Sequence, residues 1–209
     1  TATDGASCRS GGLFWLKNTQ ERATKPTQGQ FTLAEEIQGL QTIIGNDPKD
    51  SRNRVNLGDA LMRVGRFGEA ESALRAAIEI DPNEKAAYIN LALALGSRGR
   101  PKEAEAVCRE LIKREPQFGD AYSQLAAVLS RLGRINEALD ASRTAVKLDP
   151  NRVDYRLNLG VGLAQSGDLD GAEAEFRGVL KIKPGHPIAV RHLERVRRSK
   201  TRRGVPGPP

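Results

Sequence analysis

Four carboxamides stand at Asn56, Asn90, Gln124 and Asn158, each 34 residues after the last. A carboxamide carries donor and acceptor together, so a row of them can hold the backbone of an extended peptide whatever its side chains. Other side chains capable of chemistry are scarce. The 209 residues include two cysteines and two histidines. Cys108 falls at a position expected to be buried, where it acts as a small core hydrophobe rather than a reactive thiol. His186 and His192 lie six residues apart with no carboxylate or cysteine partner at ligand spacing, so they are expected on the surface and no metal site is expected. No serine sits in a nucleophile elbow and no glycine run has phosphate-loop spacing. The acidic residues fit helix surfaces, where solvation and i, i+4 pairing explain them. No catalytic residue, metal or cofactor is expected, and the chain is not expected to be an enzyme.

The interval that spaces the carboxamides also spaces everything around them. Proline recurs at 82, 116, 150 and 184, closing the related stretches AIEIDPN, LIKREPQ, AVKLDPN and VLKIKPG. Counting places within each unit from Ser51, place 7 holds Leu57, Leu91, Leu125 and Leu159, and place 8 holds Gly58, Ala92, Ala126 and Gly160. Place 15 is always glycine (65, 99, 133, 167) and place 20 always alanine (70, 104, 138, 172). Each unit therefore reads as two helices and two breaks. The first helix covers roughly places 2 to 14 and stops at the glycine, which adopts a left-handed conformation at no steric cost. The second begins near place 17, where Pro101 fits as a first helical residue and Asn136 is expected to serve as a cap. Proline ends the unit, because the residue before it is pushed out of helical geometry. Small residues at places 8 and 20 let the two helices cross closely. Leu61, Leu95, Leu129 and Leu163 at place 11, with Ile78, Ile112, Val146 and Leu180 at place 28, form the apolar stripe that one unit buries against the next.

The framework resembles the tetratricopeptide repeat (TPR) family, whose signature is W-x2-L-G-x2-Y…A-x3-F…P. The four units follow it in all but the aromatic places. Place 4 holds Arg54, Tyr88, Tyr122 and Arg156, and place 24 holds Leu74, Cys108, Ser142 and Phe176, departures expected to weaken individual units. The resemblance implies an all-α fold, a right-handed α-solenoid of tandem helix-turn-helix repeats: 51–84, 85–118, 119–152 and 153–186. Residues 31–50 read as a degenerate half-repeat whose helix opens on the capping box Thr32-x-x-Glu35, and 187–198 as a closing helix. Such ends keep a repeat array soluble. Residues 1–30 and the Pro/Gly-rich tail 199–209 are expected to lack stable structure.

In the family, first-helix places 2, 5, 6, 9, 12 and 13 face a concave groove that binds partners. Here the row at place 6 resembles the asparagine ladder of O-linked N-acetylglucosamine transferases, while asparagine there is also common family consensus, kept for local bonding. Place 5 adds Val55, Ile89, Ser123 and Leu157; place 9 adds Asp59, Leu93, Ala127 and Val161. That is an apolar floor broken by one acid, suited to an extended segment or an amphipathic helix. The carboxylate clamp of chaperone-binding members is missing: the places that hold its Lys, Asn and Arg hold Val55, Asp59, Asn90, Asp120 and Gln124 in one frame and Ile89, Leu93, Gln124, Asp154 and Asn158 in the next.

The net charge of +7 is concentrated at one end, since residues 191–203 carry seven Lys or Arg against one Glu. Most of this is expected to be a solvated helix end. Phe176 is the last aromatic residue, which argues against base stacking and specific nucleic-acid binding. Nowhere do 18 apolar residues run together, so no transmembrane segment is expected. The apolar run GGLFWL at 11–16 is short for a signal peptide, and GAS before Cys8 is a poor lipoprotein site because Gly5 stands where a large apolar residue belongs. A cytoplasmic location is expected. The chain begins with Thr1, which fits a processed product or a piece of a longer protein. The expected function is a non-catalytic scaffold binding a protein or peptide in the groove. Two alternatives stay open: the repeat region of a larger glycosyl- or sulfotransferase, and an adaptor whose basic tail meets nucleic acid or a membrane surface.

Overall fold

The computed structural model describes residues 32–202 and Gly204. The expectations for residues 1–30, Cys8 among them, and for residues 203 and 205–209 lie outside it. Every regular element among the described residues is a helix. The order is α1 (Leu33–Asn46), α2 (Ser51–Arg63), α3 (Phe67–Ile80), α4 (Lys85–Ser97), α5 (Pro101–Arg114), α6 (Gly119–Arg131), α7 (Ile135–Leu148), α8 (Val153–Ser166), α9 (Leu169–Ile182) and α10 (Pro187–Arg202). Each helix packs on the next, and the first helices α2, α4, α6, α8 and α10 also touch one another in turn. The result is an all-α solenoid with an inner layer of first helices.

Local chemistry sets these boundaries. Gly65, Gly99, Gly133 and Gly167 have φ of 77°, 73°, 75° and 93°, the left-handed geometry that ends each first helix. Thr32 and Glu35 form the anticipated capping box on α1. Asp50 caps α2 by accepting from the Asn53 amide, and Asp168 caps α9 by accepting from the Gly171 amide. Asn136 is not a cap. It lies inside α7, whose N-cap is Arg134. Arg134 instead holds Glu137 through Nε at 2.6 Å, and the same i, i+3 fork joins Arg66 to Glu69 and Arg100 to Glu103. A charged pair thus braces the first turn where a short polar cap is missing.

The arginines at place 4 keep the interaction that the tyrosines of the other two units make. Tyr88 and Tyr122 donate from Oη to the carbonyls of Pro82 and Pro116, at 3.2 and 3.1 Å. Arg54 Nη2 donates to the Pro48 carbonyl at 2.9 Å, and Arg156 Nε to that of Pro150 at 2.7 Å. All four tie a first helix back to the turn before it. The clasp therefore survives both arginines, because a guanidinium reaches the same acceptor as a phenol.

At place 8 the glycines answer the bulk at place 24. A Cβ on Gly58 would stand 2.6 Å from Leu74 Cγ, and one on Gly160 2.7 Å from Phe176 Cε1. Where place 24 is small, at Cys108 and Ser142, place 8 carries the buried methyls of Ala92 and Ala126. A larger residue on one side of the crossing thus goes with a smaller one on the other, as a close-packed interior requires. Burial pushes the Cys108 thiol up to about 12, with the charge of Glu105 adding to the effect, so it is a packing residue.

Neighbouring units are also joined by carboxylates at place 21. Glu71 bonds Arg75 on its own helix and Arg98 and Arg100 on the next unit. Glu105 bonds Arg109 and, across the joint, Arg134 at 2.8 Å. Glu173 is 3% exposed and bonds Arg177, Arg197 and Lys200. The third joint differs: place 21 is the buried Leu139, and places 14 and 16 of the following unit are Ser166 and Asp168. There the two larger clusters of buried apolar residues also meet, one reaching from Ile37 to Ala141 and the other from Leu139 to Val196, while a small third one joins Tyr88, Leu111 and Ala121.

The closing helix runs to Arg202, four residues beyond the expected 198. Lys200 explains the extension. It is 6% exposed and its Nζ lies 2.6 Å from Asp170 and 2.9 Å from Glu173, so its charge is compensated inside the array rather than solvated in a tail.

Candidate functional site

The inner layer carries the candidate residues on helices held at both ends by the glycine stops and proline clasps. Asn56 is exposed, while Asn90, Gln124 and Asn158 are half-buried. Asn158 Nδ2 donates to Ser123 Oγ at 3.1 Å, from α8 to α6, which leaves its carbonyl oxygen and second N–H available to a ligand. Of the apolar candidates, Leu93 is 37% exposed and Ile89 and Val161 are half-buried. Val55 and Leu157, at 8% and 9%, are packed into the core and offer a ligand little surface. Asp59 is exposed. The accessible floor is therefore narrower than the periodicity implies: Leu93, Ala127 and Val161 at place 9, flanked by the carboxamides.

Two links between first helices fix the layer and occupy some of its charge. Tyr155 Oη donates to Asp120 Oδ1 at 2.8 Å, and Arg152 Nη2 lies 3.4 Å from the same oxygen. Burial, then the bond to Asp120, raises the Tyr155 pKa, so it stays a neutral donor at physiological pH. Asp120 is thus a structural acid of the inner face.

Residues that periodicity alone did not single out also shape this face. Arg131 at place 13 of α6 lies across Gly96 at place 12 of α4, where a Cβ would stand 2.7 Å from Nη1. Arg131 has no carboxylate within 4 Å among the described residues and is exposed. Its signal in the sequence was register: place 13 belongs to the groove set, but only the pairing with a glycine one unit earlier marks it. At the far end His192 occupies place 6 of α10, and its ring stacks on Phe176 with centroids 5.3 Å apart. Burial, then the charges of Arg195 and Arg191, lowers its pKa and keeps the imidazole neutral. No three His, Cys, Asp or Glu side chains cluster as metal ligands among the described residues, and no described helix is long and apolar enough to cross a membrane.

Paired helices of fixed period, with a small-residue crossing in each and an open layer of first helices, define a helical-repeat solenoid. A tetratricopeptide repeat model matches residues 55–119 and 124–187, more than half of the sequence, and the chain belongs to that family. Solved structures agree. YrrB, described as a TPR protein with an unusual peptide-binding site, is 25% identical with a TM-score of 0.58, over 80% of this chain and 86% of that one. TTC0263, a thermophilic TPR protein of Thermus thermophilus, gives 18% and 0.69, over 78% and 89%. PilF of Pseudomonas aeruginosa gives 21% and 0.66, over 79% and 80%. The last two show the fold alone. No curated protein matches the sequence significantly.

Proposed function

We propose that this chain is a non-catalytic protein-interaction scaffold that holds a peptide or helix of its partner along the inner face. One observation carries the reading. Half-buried carboxamides recur at one place on successive first helices beside the exposed Leu93, Ala127 and half-buried Val161, giving backbone-binding groups next to an apolar floor. The peptide-binding site ascribed to YrrB supports the same use of the fold. In capture from a cell extract with mass-spectrometric identification, the full chain is expected to retain partners that the Asn90→Ala/Asn158→Ala variant loses. An unchanged partner set would place binding on another face and sink the groove reading.

A further inference from the structure

The basic residues of α10 are sorted by face. Lys200 is buried against Glu173, alongside the buried Ala189, Leu193 and Val196, and the exposed Arg197 reaches the same carboxylate at 3.4 Å. Arg191, Arg195, Arg198 and Arg202 are exposed and spaced by four, three and four residues, which aligns them as one stripe along the helix. Arg195 contacts His192 through Nη2 at 3.1 Å, and neither Arg198 nor Arg202 has a carboxylate within 4 Å among the described residues. Glu194 is the one acid on this helix, and it lies more than 4 Å from the cationic nitrogens of Arg195, Arg198 and Arg202.

Register places the stripe beside the candidate groove. Counted in the same 34-residue units, Arg191, Arg195 and Arg198 stand where Leu157, Val161 and Ala164 stand on α8, and α10 contacts α8 within the inner layer. The inner face thus runs from an apolar, carboxamide-lined stretch into a row of guanidinium groups. We infer that the partner segment is acidic: an extended peptide whose apolar side chains rest on the floor of Leu93, Ala127 and Val161 and whose carboxylates meet Arg195, Arg198 and Arg202. This rests on the groove reading above.

Dimensions suit that ligand. Eleven residues of helix span about 16 Å, and successive stripe positions lie about 5–6 Å apart. Alternate residues of an extended peptide are about 6.6 Å apart, so carboxylates at every second position over about five residues track the row. Arg is also the side chain whose planar fork matches a carboxylate. Two other anionic partners fit less well. The apolar side of α10 is already packed into the array, which leaves little to insert into a membrane interface. No aromatic residue stands in the stripe to stack a base.

The test uses the full chain and fluorescence anisotropy of a labelled 14-residue peptide carrying two leucines followed by Glu at alternate positions. Its comparison peptide has Gln for each Glu. At about 50 mM salt the acidic peptide is expected to bind about tenfold more tightly than the Gln peptide. Arg195→Gln/Arg198→Gln/Arg202→Gln should abolish that margin with the helical circular dichroism unchanged. Lys102→Gln/Lys113→Gln/Lys147→Gln, an equal charge change on exposed sites of second helices, should preserve it. Equal binding of the two peptides, equal loss in the lysine variant, or no binding of either peptide would overturn the inference. So would tighter binding of a single-stranded RNA of the same charge, or of phosphatidylserine vesicles. If both peptides bind equally and both depend on Asn90 and Asn158, the groove stands and the acidic partner falls. If the acidic margin follows the stripe but ignores those residues, the acidic partner stands and the groove falls.

Discussion

Two glycines meet a neighbouring atom at the same distance and should respond oppositely to a methyl group. Gly160→Ala drives a Cβ to 2.7 Å from a ring carbon of Phe176, which is fully buried and cannot retreat. It is expected to cost about 1–3 kcal/mol, and Phe176→Leu in the same chain should recover part of that loss in thermal melts. Gly96→Ala meets only the exposed, mobile end of Arg131, which can swing away, so helix propensity decides and stability should rise by roughly 0.5–1 kcal/mol. Place 4 gives another contrast. Arg54 holds the Pro48 carbonyl but its Nε is buried without a partner among the described residues, whereas Tyr88 and Tyr122 make the equivalent bond with no donor left over. Arg54→Tyr is therefore expected to raise stability by about 1 kcal/mol in chemical denaturation. The glycines were legible from the sequence because only a tiny residue recurs there. The arginine clasp was not, because its acceptor is a backbone carbonyl and two unlike side chains can reach it.

At the level of helices and their joints, the place-21 carboxylates make stability depend on pH. For Glu173, the Lys200 bond outweighs desolvation and holds the carboxyl below its usual range, with Arg197 and Arg177 assisting. For Glu71 and Glu105, burial raises the pKa, but the bonds and charges of the surrounding arginines more than reverse it. A carboxyl whose folded pKa is depressed contributes fully above its unfolded value of about 4.3, and the contribution disappears as pH falls through the folded value. Glu173→Gln should therefore lower stability by about 2 kcal/mol near pH 7. The gap to the unsubstituted chain should close as melts are taken from pH 5 to pH 2, and a constant gap would contradict the electrostatic account. Period and glycine placed every helix from α2 to α9 closely. They missed the last turn of α10, because Lys200 reads as one more tail charge until Glu173 and Asp170 are seen beside it. They also assigned Asn136 to a cap that the Arg134–Glu137 pair makes unnecessary. Of the proposed groove residues, register placed the carboxamides and Leu93 where they keep exposed surface, but it could not tell that Val55 and Leu157 are turned into the core, since depth of burial depends on the neighbouring unit.

Across the whole molecule, the joint between α7 and α8 stands apart, because it lacks the place-21 bridge and coincides with the division of the buried core. Native-state hydrogen exchange is expected to resolve α8 to α10 as a cooperative unit opening separately from α2 to α6, whereas one shared opening free energy would count against that division. The joints also carry an address. Glu71 and Glu105 each face arginine across their boundary, while the unit that follows Leu139 carries Ser166 and Asp168 at the corresponding places. Exchanging the second and third units would set Glu105 against Asp168 and leave Leu139 beside Arg98 and Arg100. Units that look interchangeable by length and framework are therefore keyed at their edges, and a shuffled array would carry its own proofreading in the form of mismatched boundaries. Serial order is written into the chain along with shape.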